Sequence, residues 1–172
     1  LRRFQQIAVF MSLVLLAGCG FQLRGSFDLP PAWEKLHLAT GSPNGELARE
    51  VRDSATRAGV EWLPRGDANY IVQLGGERFE RRNRTIGAAA RASEFELQMR
   101  TTLRVTDRNG QELLPETEFD TLRIITNDPN NIAGKAGETQ LVRREMRQAL
   151  ARQVLQQLRF LAEQPQASAP AS

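Results

Sequence analysis

Five arginines, Arg78, Arg81, Arg82, Arg84 and Arg91, are gathered in one stretch of the chain with a single carboxylate, Glu80, among them. A guanidinium is planar and forked, so it suits carboxylate or phosphate better than a point charge does. Three partners fit such a stretch: water alone, nucleic acid, or the phosphates of an anionic lipid. Arginine dominates the cations elsewhere too, because Lys35 and Lys135 are the only lysines. The second reactive group is the thiol of Cys19, the sole cysteine. It follows Arg2 and Arg3, the apolar run Ile7 to Leu16, and the small residues Ala17 and Gly18. That order matches the three regions of a secretory signal ending where a cysteine is cut and acylated. A lone thiol also has plainer readings, as a small buried hydrophobe or as an intermolecular disulfide.

Acylation of Cys19 predicts a signal over residues 1–18, a single domain over 19–163 and a disordered tail over 164–172, where Pro, Ala, Ser and Gln replace large apolar side chains. Loss of Arg2 and Arg3 lowers the formal charge from +3 to +1. The distribution of charge therefore matters more than its total. Export excludes nucleic acid as the partner of the arginines and leaves solvent or a phosphorylated glycolipid.

Catalytic and metal chemistry is poorly provided for. Hydrolytic and metal sites need convergent ligands or a nucleophile beside a base, and His37 is the only histidine. Glu94 and Glu96 lie near Arg100 and Arg104, which reads as ion pairing across a strand. No enzyme activity, metal or cofactor is expected.

The elements that would position these groups follow from hydropathy period. Leu36, Leu38 and Thr40 alternate with Lys35, His37 and Ala39 as in a half-buried strand. Ser42 to Gly45 precedes a helix from Glu46 to Ala58 with Leu47, Val51 and Ala55 on one stripe, and Gly59 stops it. A second strand is predicted from Tyr70 through Gly75-Gly76 to Phe79, the glycines marking a bulge or a close backbone approach. Phe95, Leu97, Met99, Thr101, Leu103 and Val105 give the third strand one apolar face. Asn109-Gly110 then turns the chain into a fourth, from Thr117 to Thr126. A helix from Gly137 to Glu163 carries Leu141, Val142, Met146, Leu150, Val154, Leu158 and Leu161 on its apolar side. The expected fold class is α+β, a two-layer sandwich with two helices on one face of a four-stranded mixed sheet, in the order β-α-β-β-β-α. The arginine stretch would then sit at the tip joining the second and third strands.

Three stretches carry a family resemblance. They are Leu16-Ala17-Gly18-Cys19-Gly20-Phe21-Gln22-Leu23-Arg24; Ser42-Pro43-Asn44-Gly45 with Leu47, Arg49, Val51 and Arg52; and Asp128-Pro129 with Ala133, Lys135 and Val142-Arg143-Arg144-Glu145-Met146. Together these resemble the LptE family of lipopolysaccharide-assembly lipoproteins. The resemblance implies a lipid-anchored protein on the periplasmic side of the outer membrane, and Gly20 after the cysteine agrees with outer-membrane sorting. It implies a plug within the β-barrel protein LptD that assists assembly of the barrel and binds lipopolysaccharide during delivery. Lys135 and Arg91 are the residues it points to for lipopolysaccharide contact, with Arg78, Arg81, Arg82 and Arg84 added by the charge pattern. The alternative is a structural envelope lipoprotein that supports an outer-membrane complex without touching glycolipid.

Overall fold

Pro30 and Pro31 start a short 3-10 turn, Pro31–Trp33, that drives Trp33 into the interior, where its ring stacks on Tyr70 at 4.1 Å between centroids. In the computed structural model, residues 29–84, 93–127 and 135–164 are described. After the turn come β1 (Lys35–Thr40), α1 (Glu46–Arg57), β2 (Glu61–Trp62), β3 (Tyr70–Leu74), β4 (Arg78–Arg84), β5 (Ser93–Asp107), β6 (Glu112–Asn127) and α2 (Lys135–Glu163).

The helices pack on one face of a mixed sheet, as α+β patterning requires, but the sheet has six strands rather than four. Its order is β2-β1-β3-β5-β4, with β6 on the other edge of β5. β1 lies parallel to both β2 and β3, while β3, β4 and β6 all run antiparallel to β5. Two differences explain the extra strands. β2 is two residues long, too short for any period to register. The predicted strand from Tyr70 to Phe79 is in fact β3 and β4 laid end to end along one edge of β5.

The break between them is set by Gly75. Its amide donates to the Thr102 carbonyl at 2.8 Å and its own carbonyl accepts the Thr101 hydroxyl at 3.0 Å. A Cβ here would lie 2.4 Å from Thr102 Oγ1, so only glycine permits the approach. Leu74 pairs with Leu103 and Arg78 with Arg100, so the β3–β4 side spends one residue more than β5 across the gap. That is a bulge.

At the other end of β5, Asp107 closes the hairpin. Its amide bonds the Gln111 carbonyl at 2.9 Å, and its Oδ1 accepts the amides of Asn109 and Gln111 at 2.8 and 2.7 Å. Gly110 at φ +87° supplies the left-handed residue that a three-residue loop of this kind needs.

The core lies between the layers. Leu97, Met99, Leu103 and Val105 of β5 meet Leu47 and Val51 of α1 and Met146, Leu150, Val154 and Leu158 of α2, all fully or almost fully buried. Leu141 departs from the expected stripe, being 49% exposed in the first turns of α2. The opposite sheet face is not uniformly wet. Ile71 and Thr106 point there yet are buried, as is Ala68 of the connection between β2 and β3. His37 is held by the same connection, its Nδ1 donating to the Leu63 carbonyl at 2.8 Å. The signal region, the tail over 165–172 and the two connections 85–92 and 128–134 lie outside the described residues.

Candidate functional site

β4 has the sequence Arg-Phe-Glu-Arg-Arg-Asn-Arg, and strand alternation decides what each cation can do. The arginines were expected at a hairpin tip. Instead Arg78, Arg81, Arg82 and Arg84 all lie within this regular strand, because seven ladder pairs with β5 carry the chain out to Arg84. Phe79, Arg81 and Asn83 stand opposite Met99, Leu97 and Phe95 and so face the helices; Arg78, Glu80, Arg82 and Arg84 face away. The basic stretch is therefore divided between two surfaces.

On the outer surface Glu80 neutralises its neighbours. It accepts from Arg82 at 2.8 Å and from Arg100, which lies beside it on β5. The hydrogen bonds from Arg82 and then Arg100, with the charge of Arg100 added, hold the Glu80 carboxyl below the usual glutamate range. Further along this face, an open hollow of about 430 Å³ is lined by Ala39, Arg65, Gln73, Thr102, Arg104 and Glu116. Arg104 there is engaged by Glu112 at 2.7 Å.

On the helix side the arrangement differs. Arg147 of α2 reaches the bulge and grips Glu77 with two bonds, at 2.6 and 3.1 Å, and reaches Glu46 at the start of α1 at 2.6 Å. Its side chain is only 11% exposed. Burial alone would pull its pKa down, but the hydrogen bonds and charge of Glu77, then of Glu46, outweigh that and raise it. One helical turn earlier, Arg143 lies over the Phe79 ring, 4.0 Å from its centroid. Beyond it, Arg81 lies over Phe95 at 3.5 Å. Such stacking fixes the plane of a guanidinium while leaving its edge open to an acceptor.

The register gathers this surface at one end of the sheet. Arg84 pairs with Glu94 and Ser93 with Asn127, so β4 ends, β5 begins and β6 ends together. Lys135 is the first residue of α2, and the contacts of Arg147 and Arg143 show α2 descending from that end toward the bulge. Arg91 and Cys19 lie outside the described residues. Sequence reasoning missed Arg143, Arg147 and Glu77 as parts of the site. The signal was present: Arg143 and Arg147 are one turn apart, next to the buried Met146 and Leu150, while Glu77, Phe79 and Arg81 are alternate residues.

A family model described as LptE, lipopolysaccharide-assembly, matches residues 33–158, from Trp33 at the start of the sheet to Leu158 near the end of α2. The chain belongs to the LptE family. LPS-assembly lipoprotein LptE of Photorhabdus laumondii is 26% identical over 157 residues, covering 91% of this chain and 85% of that protein. The same-named protein of Yersinia pestis strain Pestoides F is 26% identical over 158 residues, covering 91% and 75%. Among solved structures, an uncharacterized lipoprotein B from Nitrosomonas europaea superposes with a TM-score of 0.70 at 24% identity, covering 84% of this chain and 94% of that one. The rare lipoprotein B of Shewanella oneidensis gives 0.62 at 23%, covering 72% and 92%. At these identities the structural matches speak for the fold alone, which this LptE-family chain shares with them.

Proposed function

We propose that this LptE-family chain is a non-enzymatic, lipid-anchored lipoprotein on the periplasmic side of the outer membrane. It sits as a plug in the LptD barrel, assists assembly of the barrel, and binds lipopolysaccharide during delivery to the outer leaflet. The observation that carries this reading is the family match over residues 33–158, which takes in the whole sheet, α1 and most of α2. The arginines mounted at one sheet end suit a phosphorylated glycolipid, and Lys135 begins the helix that supplies Arg143 and Arg147.

Affinity purification of the tagged full chain from outer membranes is expected to recover a large β-barrel protein in equal amount. Recovery of the chain alone would count against the plug. Replacing Cys19 by Ser should abolish incorporation of labelled palmitate and release the protein from the membrane fraction. Changing Lys135 and Arg91 together to Ala should weaken lipopolysaccharide binding by about tenfold, the loss expected for a charge-assisted contact, with the thermal transition unchanged.

A second reading, a structural envelope lipoprotein without glycolipid contact, draws on Leu122 and Ile124. They are 42% and 46% exposed on the outer face of β6, a place for protein contact. Wild-type protein that recovers the barrel but binds no lipopolysaccharide would favour it.

A further inference from the structure

Arginines that stand in water need no counter-charge from the protein. Arg143 is different: its Nε, like that of Arg100, is buried and meets no acceptor among the described residues, but Arg100 is paired with Glu80 and Arg143 has no such carboxylate among them. Its neighbour Arg147, in a similar place on the same helix, is fully answered by Glu77 and Glu46. Arg81 is exposed, and what marks it is its stacking on the Phe95 ring; it makes no ion pair with a described carboxylate, whereas Arg82 beside it does. So the helix-facing side of β4 carries one neutralised guanidinium at the bulge. Two more lie farther out, each fixed on an aromatic ring and lacking an anion among the described residues.

The spacing of these two is set by the register. Arg143 lies over Phe79, which pairs with Met99, and Arg81 lies over Phe95 of the same strand as Met99. Four strand residues separate the two platforms, or about 13 Å along the sheet. That is too far for both guanidiniums to clasp one phosphate. It fits two anionic groups on one molecule. The surface beside them is not wholly polar: partly buried Ile125 pairs with Phe95 and shares its face, and the partly buried Phe79 ring adds apolar area.

The geometry points to a two-phosphate site: Arg143 and Arg81, on platforms four strand residues apart, each receive one phosphate of a single bisphosphorylated amphiphile. The inference rests on the glycolipid reading above and narrows it to ligands carrying both phosphates. It also assigns the contacts to residues of α2 and β4 rather than to the connecting segments. Stacking holds each fork in place before the ligand arrives, which lowers the entropy lost on binding.

The test uses the full chain in detergent, titrated with bisphosphorylated lipid A, with the monophosphorylated form, and with inorganic phosphate as competitor. Wild type should bind the bisphosphorylated lipid at least about tenfold more tightly, one charge-assisted contact being worth at least that factor. Arg81→Gln or Arg143→Gln should each erase that preference while leaving affinity for the monophosphorylated lipid within about threefold. Arg78→Gln removes the same charge from the outer face and should keep the preference. Equal binding of the two lipids by wild type overturns the two-phosphate site while leaving the glycolipid reading standing. A loss with Arg78→Gln as large as with Arg81→Gln, or complete displacement by inorganic phosphate at equal concentration, overturns it also. Wild type that binds neither lipid defeats the glycolipid reading itself. Should Arg143→Gln fail to fold, Arg81→Gln and the platform variant Phe95→Leu carry the same decision.

Discussion

Arg147 shows how one side chain can join three parts of the chain. It draws together α2, the start of α1 and the bulge between β3 and β4 through Glu46 and Glu77. Breaking such a pair strands a nearly buried Glu77. Arg147→Met should therefore destabilise the fold by about 2 kcal/mol, below the range for a wholly buried pair because Glu46 is largely exposed. A shift of the urea midpoint at unchanged slope would check it. Glu80 gives a pH prediction. Its folded pKa lies below its unfolded one, so its contribution is present above the unfolded carboxylate range and is lost as pH falls through the folded value. Stability curves of wild type and Glu80→Gln should converge in acid and differ at neutral pH, and an NMR titration of Glu80 should show the low midpoint.

At the scale of elements, the long β5 was legible because Phe95 to Val105 alternate cleanly and the apolar set is buried as alternation requires. α1 was legible from Leu47, Val51 and Ala55, all buried. β6 begins five residues earlier than expected, at Glu112. Leu113, Leu114 and Pro115 do not alternate, and the ladder is shifted between Leu103, Val105 and Thr106. Gly75-Gly76 was readable as a bulge, but its consequence was not: the extra residue sets which of the following arginines face the helices. Gly75→Ala should cost about 2 kcal/mol through overpacking against Thr102. Thr102→Ala in the same chain should recover part of that loss, a coupling that a double-mutant cycle of denaturation midpoints would measure. Along β6, the carbonyls of Asp120 and Leu122 accept side-chain donors, Gln153 at 3.3 Å and Arg123 at 2.9 Å. Occupied carbonyls discourage strand addition at an edge. Replacing Gln153 and Arg123 together by Val should raise self-association, read by light scattering at increasing concentration.

For the whole molecule, the sequence alone determined the class of fold. Amphipathic periods fix which residues must leave water, and two helical stripes with one-sided strands have few ways to bury them. It also determined the family resemblance and, through the residues around Cys19, the expectation of a lipid anchor. It could not determine the partners of the arginines. Hydropathy period reports burial and is blind to which strands become neighbours. Arg78 to Arg84 read as one basic cluster until the ladder with β5 sent Arg81 to one face and Arg78, Arg82 and Arg84 to the other. Only the tertiary structure set Arg143 on Phe79, Arg81 on Phe95 and Arg147 between two glutamates. Those contacts join residues up to about seventy positions apart, and their separation depends on one added residue at Gly75–Glu77 together with the path of α2 over β5 and β6. A guanidinium becomes a binding group through what holds it and what fails to neutralise it, and both are properties of the folded chain.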